Sequence, residues 1–291
     1  MTIPVRLLEY GRSWNIGDEI QTLAVAQHLE TFDGFVDRDE LDLATGAPFA
    51  VVMQGWFAKR LETLVPSASV RPVWVGFHLE AQCADVLRRP EVRSRLAEGG
   101  PIGCRDEQTA NRLADHGIDA YVSGCMTTTF SRRTEEPDEG RVYLVDAVGI
   151  PLPEHLRQRS SVRTTHQGAA WWSQGAKRAL AEDVLREYRE HASLVVTPRL
   201  HCALPCVAMG IPVVFVGDPD DERLSPILDL AEVIPFPSEL RQETVTNRMK
   251  RRVRWRREMQ DLPWTGRAPD IEADKERRVE LLRRGLAQVG A

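Results

Sequence analysis

Leu194-Val195-Val196-Thr197-Pro198-Arg199-Leu200-His201-Cys202-Ala203-Leu204-Pro205-Cys206-Val207-Ala208-Met209-Gly210-Ile211-Pro212-Val213-Val214-Phe215-Val216 reads as strand, helix and strand in one unbroken stretch. The apolar β-branched run 194–197 stops at Pro198, a residue without an N–H for a ladder. Residues 200–209 then carry the helix, Gly210 caps its C-terminus, and 212–216 form the next buried strand. Strands that alternate with helices in this way argue a parallel sheet with helices on both faces, an α/β protein.

The alternation extends over most of the chain. Residues 5–10 form a first expected strand, followed by a turn over 11–17. A helix runs from Asp18 to about residue 29, with Asp18 as its N-cap and Ile20, Leu23, Ala24 and Ala26 on its apolar face. Short strands are expected at 49–53 and 73–77, each ending in glycine plus an aromatic. A helix over 85–98, a strand at 101–104, a helix capped by Asp106 and a strand at 120–123 follow. The polar stretch 131–140 is the best linker. Beyond it come strands at 142–145 and 162–165 and a helix over 175–191 with Ala179, Val184, Leu185 and Tyr188 inward. Helices over 239–261 and 271–288 complete the chain. The expected domains are 1–135, 136–238 and a helical extension, 239–291.

The composition fits an ordinary folded domain: 291 residues, 42% hydrophobic and 28% charged, with a formal charge of −5. That balance excludes a generally basic nucleic-acid coat. Of the 38 basic residues only Lys59, Lys177, Lys250 and Lys275 are lysine. Codon usage in a GC-rich genome explains most of the bias, and arginine is also the better fork for anions. The N-terminus carries no apolar leader segment. The longest near-apolar run, 202–217, is broken by Pro205, Gly210 and Pro212 and falls short of the ~20 residues of a membrane span. Five cysteines at irregular spacings suggest free thiols and a cytoplasmic chain. Cys202 and Cys206 share a helix face without further ligands, so no metal is expected.

Three segments carry chemistry, each at a strand end or helix start where backbone amides favour anions. The first holds Asn15, Gly17 and Asp18; Gly17 lets backbone approach a ligand, and the side chains can bind hydroxyls or accept a proton. It is neither a Rossmann glycine fingerprint nor a Walker loop. The second holds Arg105 and, after the next strand, Thr127 within a threonine run. The third holds Arg199, Leu200 and His201, and an imidazole on a first helical turn suits a base or a neutral donor.

In order, these segments read N-x-G-D-x-x-Q, G-x-R-D with S-G-C-x-T-x-T, and T-x-R-L-H followed by G-x-P-V-V. Over residues 5–235 the set resembles the polysaccharide pyruvyl transferase family. The resemblance implies two Rossmann-like domains with parallel sheets facing a cleft, GT-B-like, plus C-terminal helices. It implies transfer of the enolpyruvyl carbons of phosphoenolpyruvate to two hydroxyls of a sugar or lipid-linked glycan, giving a pyruvate ketal, with no metal or other cofactor. Arg105 and Arg199 then bind the anionic donor, with Leu200, Asn15, Gly17 and Thr127 as further contacts, and His201 and Asp18 serve as acid and base.

Residues 241–257 hold eight cations against Glu243, with Val245, Met249 and Val253 recurring at helical spacing. Such a stretch suits a solvated surface helix or peripheral contact with an anionic membrane, and nucleic acid ranks behind both. The alternatives to the pyruvyl transferase are a GT-B-like glycosyltransferase taking a nucleotide sugar, and a non-catalytic protein acting through this helix. Intact Asn15, Asp18, Arg105, Arg199 and His201 favour an enzyme.

Overall fold

The computed structural model describes residues 2–57, 64–147, 152–158, 160–163, 172–218, 220–235 and 262–291. The basic segment 241–257 and the helix expected over 239–261 lie outside the described residues, as does the membrane role expected of them. The chain divides into two compact units. Unit 1 comprises Met1–Phe130, His166–Glu182 and Ile271–Ala291; unit 2 comprises Ser131–Thr165 and Asp183–Asp270. This differs from a division at 135/136 and 238/239, because the start of one long helix and the whole C-terminal helix pack with unit 1. Among the described residues no helix is long and apolar enough to cross a membrane.

In unit 1, β1 (Val5–Glu9) leads into α1 (Ile16–Ala26), and β2 (Phe35–Asp37) pairs parallel to β1. β3 (Phe49–Val52) lies on the other side of β1, with β5 (Val70–Val73) beyond it. A second parallel sheet holds β4 (Gly55–Trp56), β6 (Phe77–His78), β7 (Ile102–Cys104) and β8 (Ala120–Val122). The two sheets are one pleated surface with a kink. The chain passes directly from β3 to β4 and from β5 to β6. Met53 N–H donates to Val73 carbonyl at 2.8 Å and Gly55 N–H to Gly76 carbonyl at 2.9 Å across the break. Gly55 and Gly76 sit at φ +86° and +77°, a region that side chains avoid. The run 49–53 therefore supplies β3 and ends before β4, while 73–77 spans from the end of β5 to the start of β6. The spatial order through the kink is β2, β1, β3/β4, β5/β6, β7, β8.

α2 (Pro90–Ala97) and α3 (Glu107–Ala114) cover this surface. The helix expected over 85–98 is divided, because Pro90 supplies no amide to a preceding turn and instead opens α2. α3 is capped by Asp106, as its sequence requires; the Thr109 amide donates to Asp106 Oδ1 at 2.9 Å. Leu8, Phe49, Val51, Phe77, Ile102 and Leu113 belong to one buried cluster. α1 begins two residues before Asp18: Asn15 is the cap, its side chain accepting the Gly17 amide at 3.0 Å, and Asp18 lies in the first turn.

Unit 2 is a single parallel sheet of β9 (Arg141–Val145), β10 (Ser160–Arg163), β11 (Ala192–Thr197), β12 (Val213–Gly217) and β13 (Glu232–Pro235), in the order β10, β9, β11, β12, β13. α4 (Glu154–Arg157), α5 (Gln174–His191), α6 (Leu200–Ala208) and α7 (Ser225–Leu228) fall between these strands in sequence. Val142, Val196, Val214, Ile234 and Trp264 share its core. The last helix, α8 (Glu272–Val289), packs against β3 and β5 of unit 1. In both units the second strand lies on one side of the first and the third on the other. The order reverses there, and open α/β sheets offer ligand sites at such points, outside the carboxyl ends of the strands.

The buried stripe of α5 is Lys177, Ala181, Leu185 and Tyr188, while Ala179 is exposed. Leu185 and Tyr188 are inward as expected and Val184 is half-buried, but in the first turns Lys177 and Ala181 take the place expected of Ala179.

Candidate active site

In unit 2 the reversal point lies between β9 and β11, and the third motif stands at the end of β11. The Thr197 hydroxyl accepts the Arg199 amide at 3.0 Å, Arg199 is the N-cap of α6, and Leu200 and His201 are its first two residues. The Arg199 side chain does not cap the helix; it turns to Asp146 instead. The residue after β9 is Asp146, which sequence reading passed over. It holds φ +53°, a conformation non-glycine residues adopt at a cost and that aspartate tolerates better than most. Its Oδ2 accepts Arg199 Nε at 2.9 Å, with the arginine side chain one-third exposed. An aspartate directly after a buried strand was the available signal.

In unit 1 the reversal point lies between β1 and β3. The Ser13 hydroxyl donates to Asp18 Oδ2, and Gln21 Nε2 donates to Asp18 Oδ1 at 3.3 Å. Gly17 is buried in the first turn of α1. Beside this turn, Arg38 follows β2 and is only 2% exposed. Its Nε donates to Asp39 at 3.0 Å and its guanidinium stacks 5.0 Å over Tyr10. Burial works against the Arg38 charge, but the carboxylates of Asp18 and Asp39 outweigh it and raise the pKa. The short β2 escaped the sequence reading, and Arg38 with it.

Arg105 follows β7 of the second sheet, whereas the turn with Asn15 and Asp18 follows β1 of the first. The unit 1 candidates therefore stand at the ends of different strands. Arg105 is 5% exposed and lies 3.5 Å from Asp106. Thr127 is fully buried, its hydroxyl 3.1 Å from Cys125 Sγ, while Thr128 and Thr129 donate to carbonyls of their own turn. All five cysteines are buried and unbridged.

Next to Arg105 lies a buried dyad. His78 Nδ1 donates to Asp106 Oδ2 at 2.6 Å, and the two side chains are 2% and 0% exposed. Burial and the Arg105 charge lower the His78 pKa against the pull of Asp106. Burial opposes ionisation of Asp106, yet the His78 hydrogen bond, the neighbouring cations and the Thr109 amide pull its pKa down to about 2. A depressed carboxyl stabilises the fold above its unfolded value of 3.8, and the gain disappears as pH falls toward 2. Asp106→Asn keeps a competent cap and removes the charge. It should cost about 2 kcal/mol at pH 7 and almost nothing at pH 2. Urea unfolding at both pH values measures this; an equal cost at both excludes the charge as its source.

Comparisons with solved structures find an uncharacterised protein from Klebsiella pneumoniae at 10% identity and TM-score 0.49, covering 81% of this chain and 94% of that one. They also find a putative UDP-N-acetylglucosamine 2-epimerase from Listeria monocytogenes at 13% and 0.46, covering 99% and 98%. A further UDP-N-acetylglucosamine 2-epimerase follows at 10% and 0.44, covering 99% and 96%. No curated protein matches the sequence. The family model described as polysaccharide pyruvyl transferase matches residues 15–220, from the cap of α1 to just beyond β12. The chain belongs to the polysaccharide pyruvyl transferase family.

Proposed function

We propose that the chain transfers the enolpyruvyl carbons of phosphoenolpyruvate to two hydroxyls of a sugar, forming a pyruvate ketal. The supporting observation is the group at the end of β11: Thr197, Arg199 and His201 on one helix start, with Asp146 fixing the arginine through Nε. In the reaction the methylene carbon of the donor takes a proton, two sugar oxygens bond the central carbon, and the bond to the phosphate oxygen breaks. Of the two hydroxyl protons lost, one balances the protonated methylene and the other leaves with phosphate or solvent.

Arg199 binds an anionic group of the donor, its planar fork held in one rotation by Asp146. Leu200 heads the helix start, where amides favour anions. His201 carries the proton to the methylene carbon. In unit 1, Asn15 and Asp18 take sugar hydroxyls, Asp18 as the second base, and Arg105 is a second anion ligand. The acceptor is a sugar or a lipid-linked glycan.

A thermal-shift series with phosphoenolpyruvate, UDP and UDP-sugars tests the reading. The unfolding midpoint should rise with phosphoenolpyruvate concentration, as ligand linkage requires. Stabilisation by UDP-sugars without any by phosphoenolpyruvate overturns it in favour of a nucleotide-sugar transferase.

A further inference from the structure

Lys177 is one of four lysines in the chain and is 3% exposed, an unusual place for an ammonium. Its Nζ donates to the carbonyls of Tyr10, Gly11 and Ser13 at 3.3, 3.3 and 3.1 Å. An ammonium has three donors, and all three go to the turn between β1 and α1. This turn is held from its other side too: Asp37 Oδ2 accepts the Gly11 amide at 3.1 Å. Ser13, whose carbonyl Lys177 grips, donates its hydroxyl to Asp18 and accepts the Asn15 amide at 3.2 Å. A covalent and hydrogen-bonded path therefore runs from Lys177 through Ser13 to the Asp18 carboxylate. It lies entirely within unit 1.

We infer that Lys177 is the positioning residue of Asp18. The ammonium acts as the cation around which the turn's carbonyls converge, and it sets where the Ser13 hydroxyl meets the carboxylate. Without it, the carbonyls of Gly11 and Ser13 lose this donor and the Tyr10 carbonyl keeps only the Ser13 amide, at 3.1 Å, so the turn relaxes toward water. The inference rests on the role proposed for Asp18, and extends it to a residue that no motif contains.

Lys177→Ala leaves a cavity that n-propylammonium, the fragment removed, can refill. Phosphate release from phosphoenolpyruvate in the presence of acceptor should fall about 100-fold, as expected for a displaced catalytic group, with KM for phosphoenolpyruvate unchanged. Added n-propylammonium should restore part of it, and tetramethylammonium, which has no N–H, should not. In an Asp18→Asn background the same substitution should cost nothing further, because both act on one group. A full additional loss in that background, or no response to n-propylammonium, overturns the inference.

A second readout needs no reaction. The amides of Ser13, Asn15 and Gly17 are hydrogen-bonded within residues 10–15 and that of Gly11 to Asp37, and all four should exchange with solvent faster in Lys177→Ala, recovering with the amine. Unchanged exchange overturns the inference even if phosphoenolpyruvate proves not to be the substrate. Conversely, faster exchange with no phosphate release in the parent protein would count against the proposed reaction alone. Should Lys177→Ala not fold, Ser13→Ala cuts the same path one step later. It should lower phosphate release while leaving the Gly11 amide protected; undiminished release overturns the path.

Discussion

His201→Ala is expected to bind phosphoenolpyruvate like the parent protein and to release phosphate at least about 100-fold more slowly, the usual range for a lost general acid–base group. His201 is the second residue of α6 and is half-buried. Arg199, two residues earlier, has its Nε on Asp146. The two side chains leave the same strand end, and the proposed reaction gives them different tasks. A proton carrier contributes in the transition state and appears in kcat; an anion ligand contributes to the ground state too and appears in KM. Arg199→Ala should therefore weaken phosphoenolpyruvate binding, where His201→Ala does not. Single-turnover phosphate release with a binding titration separates the two, and unimpaired release in His201→Ala removes the histidine from the chemistry.

The sequence exposes this strand end because everything that builds it is local. Val195 and Val196 form the buried strand, Pro198 ends it, and the apolar run from Cys202 to Val207 makes a helix that can only be buried. The parallel α/β class follows from repeating that unit. What stayed hidden depends on long-range geometry. β2 and β13 are short and carry little pattern of their own, so Arg38 had no visible strand to follow. The kink in unit 1 requires Gly55 and Gly76 to be paired across strands, which neither 49–53 nor 73–77 reveals alone. Asp146 gains meaning only from β11 beside it. Lys177 misled the periodicity of α5, since a charge on an inward face is legible only when its acceptors, some 160 residues earlier, are in view.

At pH 8, Glu19→Gln is expected to stabilise the protein by about 3 kcal/mol, and at pH 4.5 to change it little. Glu19 is the residue after Asp18, 1% exposed, and neither carboxylate oxygen has a hydrogen-bond partner among the described residues. Burial raises its pKa from 4.5 to about 7; Arg178 and Lys177 pull it down, and Asp18 and Glu9 push it further up. Between those two values the unfolded chain has released the proton and the native chain still holds it. Stability contributed by the neutral acid is thus complete below pH 4.5 and is lost as pH rises through about 7, at about 1.4 kcal/mol per pH unit. Above that window the native state holds an ionised carboxylate without a hydrogen bond, a burden glutamine does not share. His28 and His78, whose pKa values are lowered mainly by burial, change stability in the opposite direction near neutrality. They do so equally in both proteins, so the difference between parent and variant isolates residue 19. Urea unfolding at half-unit steps from pH 4.5 to 8 should show that difference opening up to about pH 7 and levelling off above it. A constant difference across the range would mean that Glu19 is already ionised at pH 4.5, with Arg178 and Lys177 offsetting its burial. In that case Glu19→Gln should instead destabilise the protein at every pH, by stripping a counter-ion from the lysine that holds the turn.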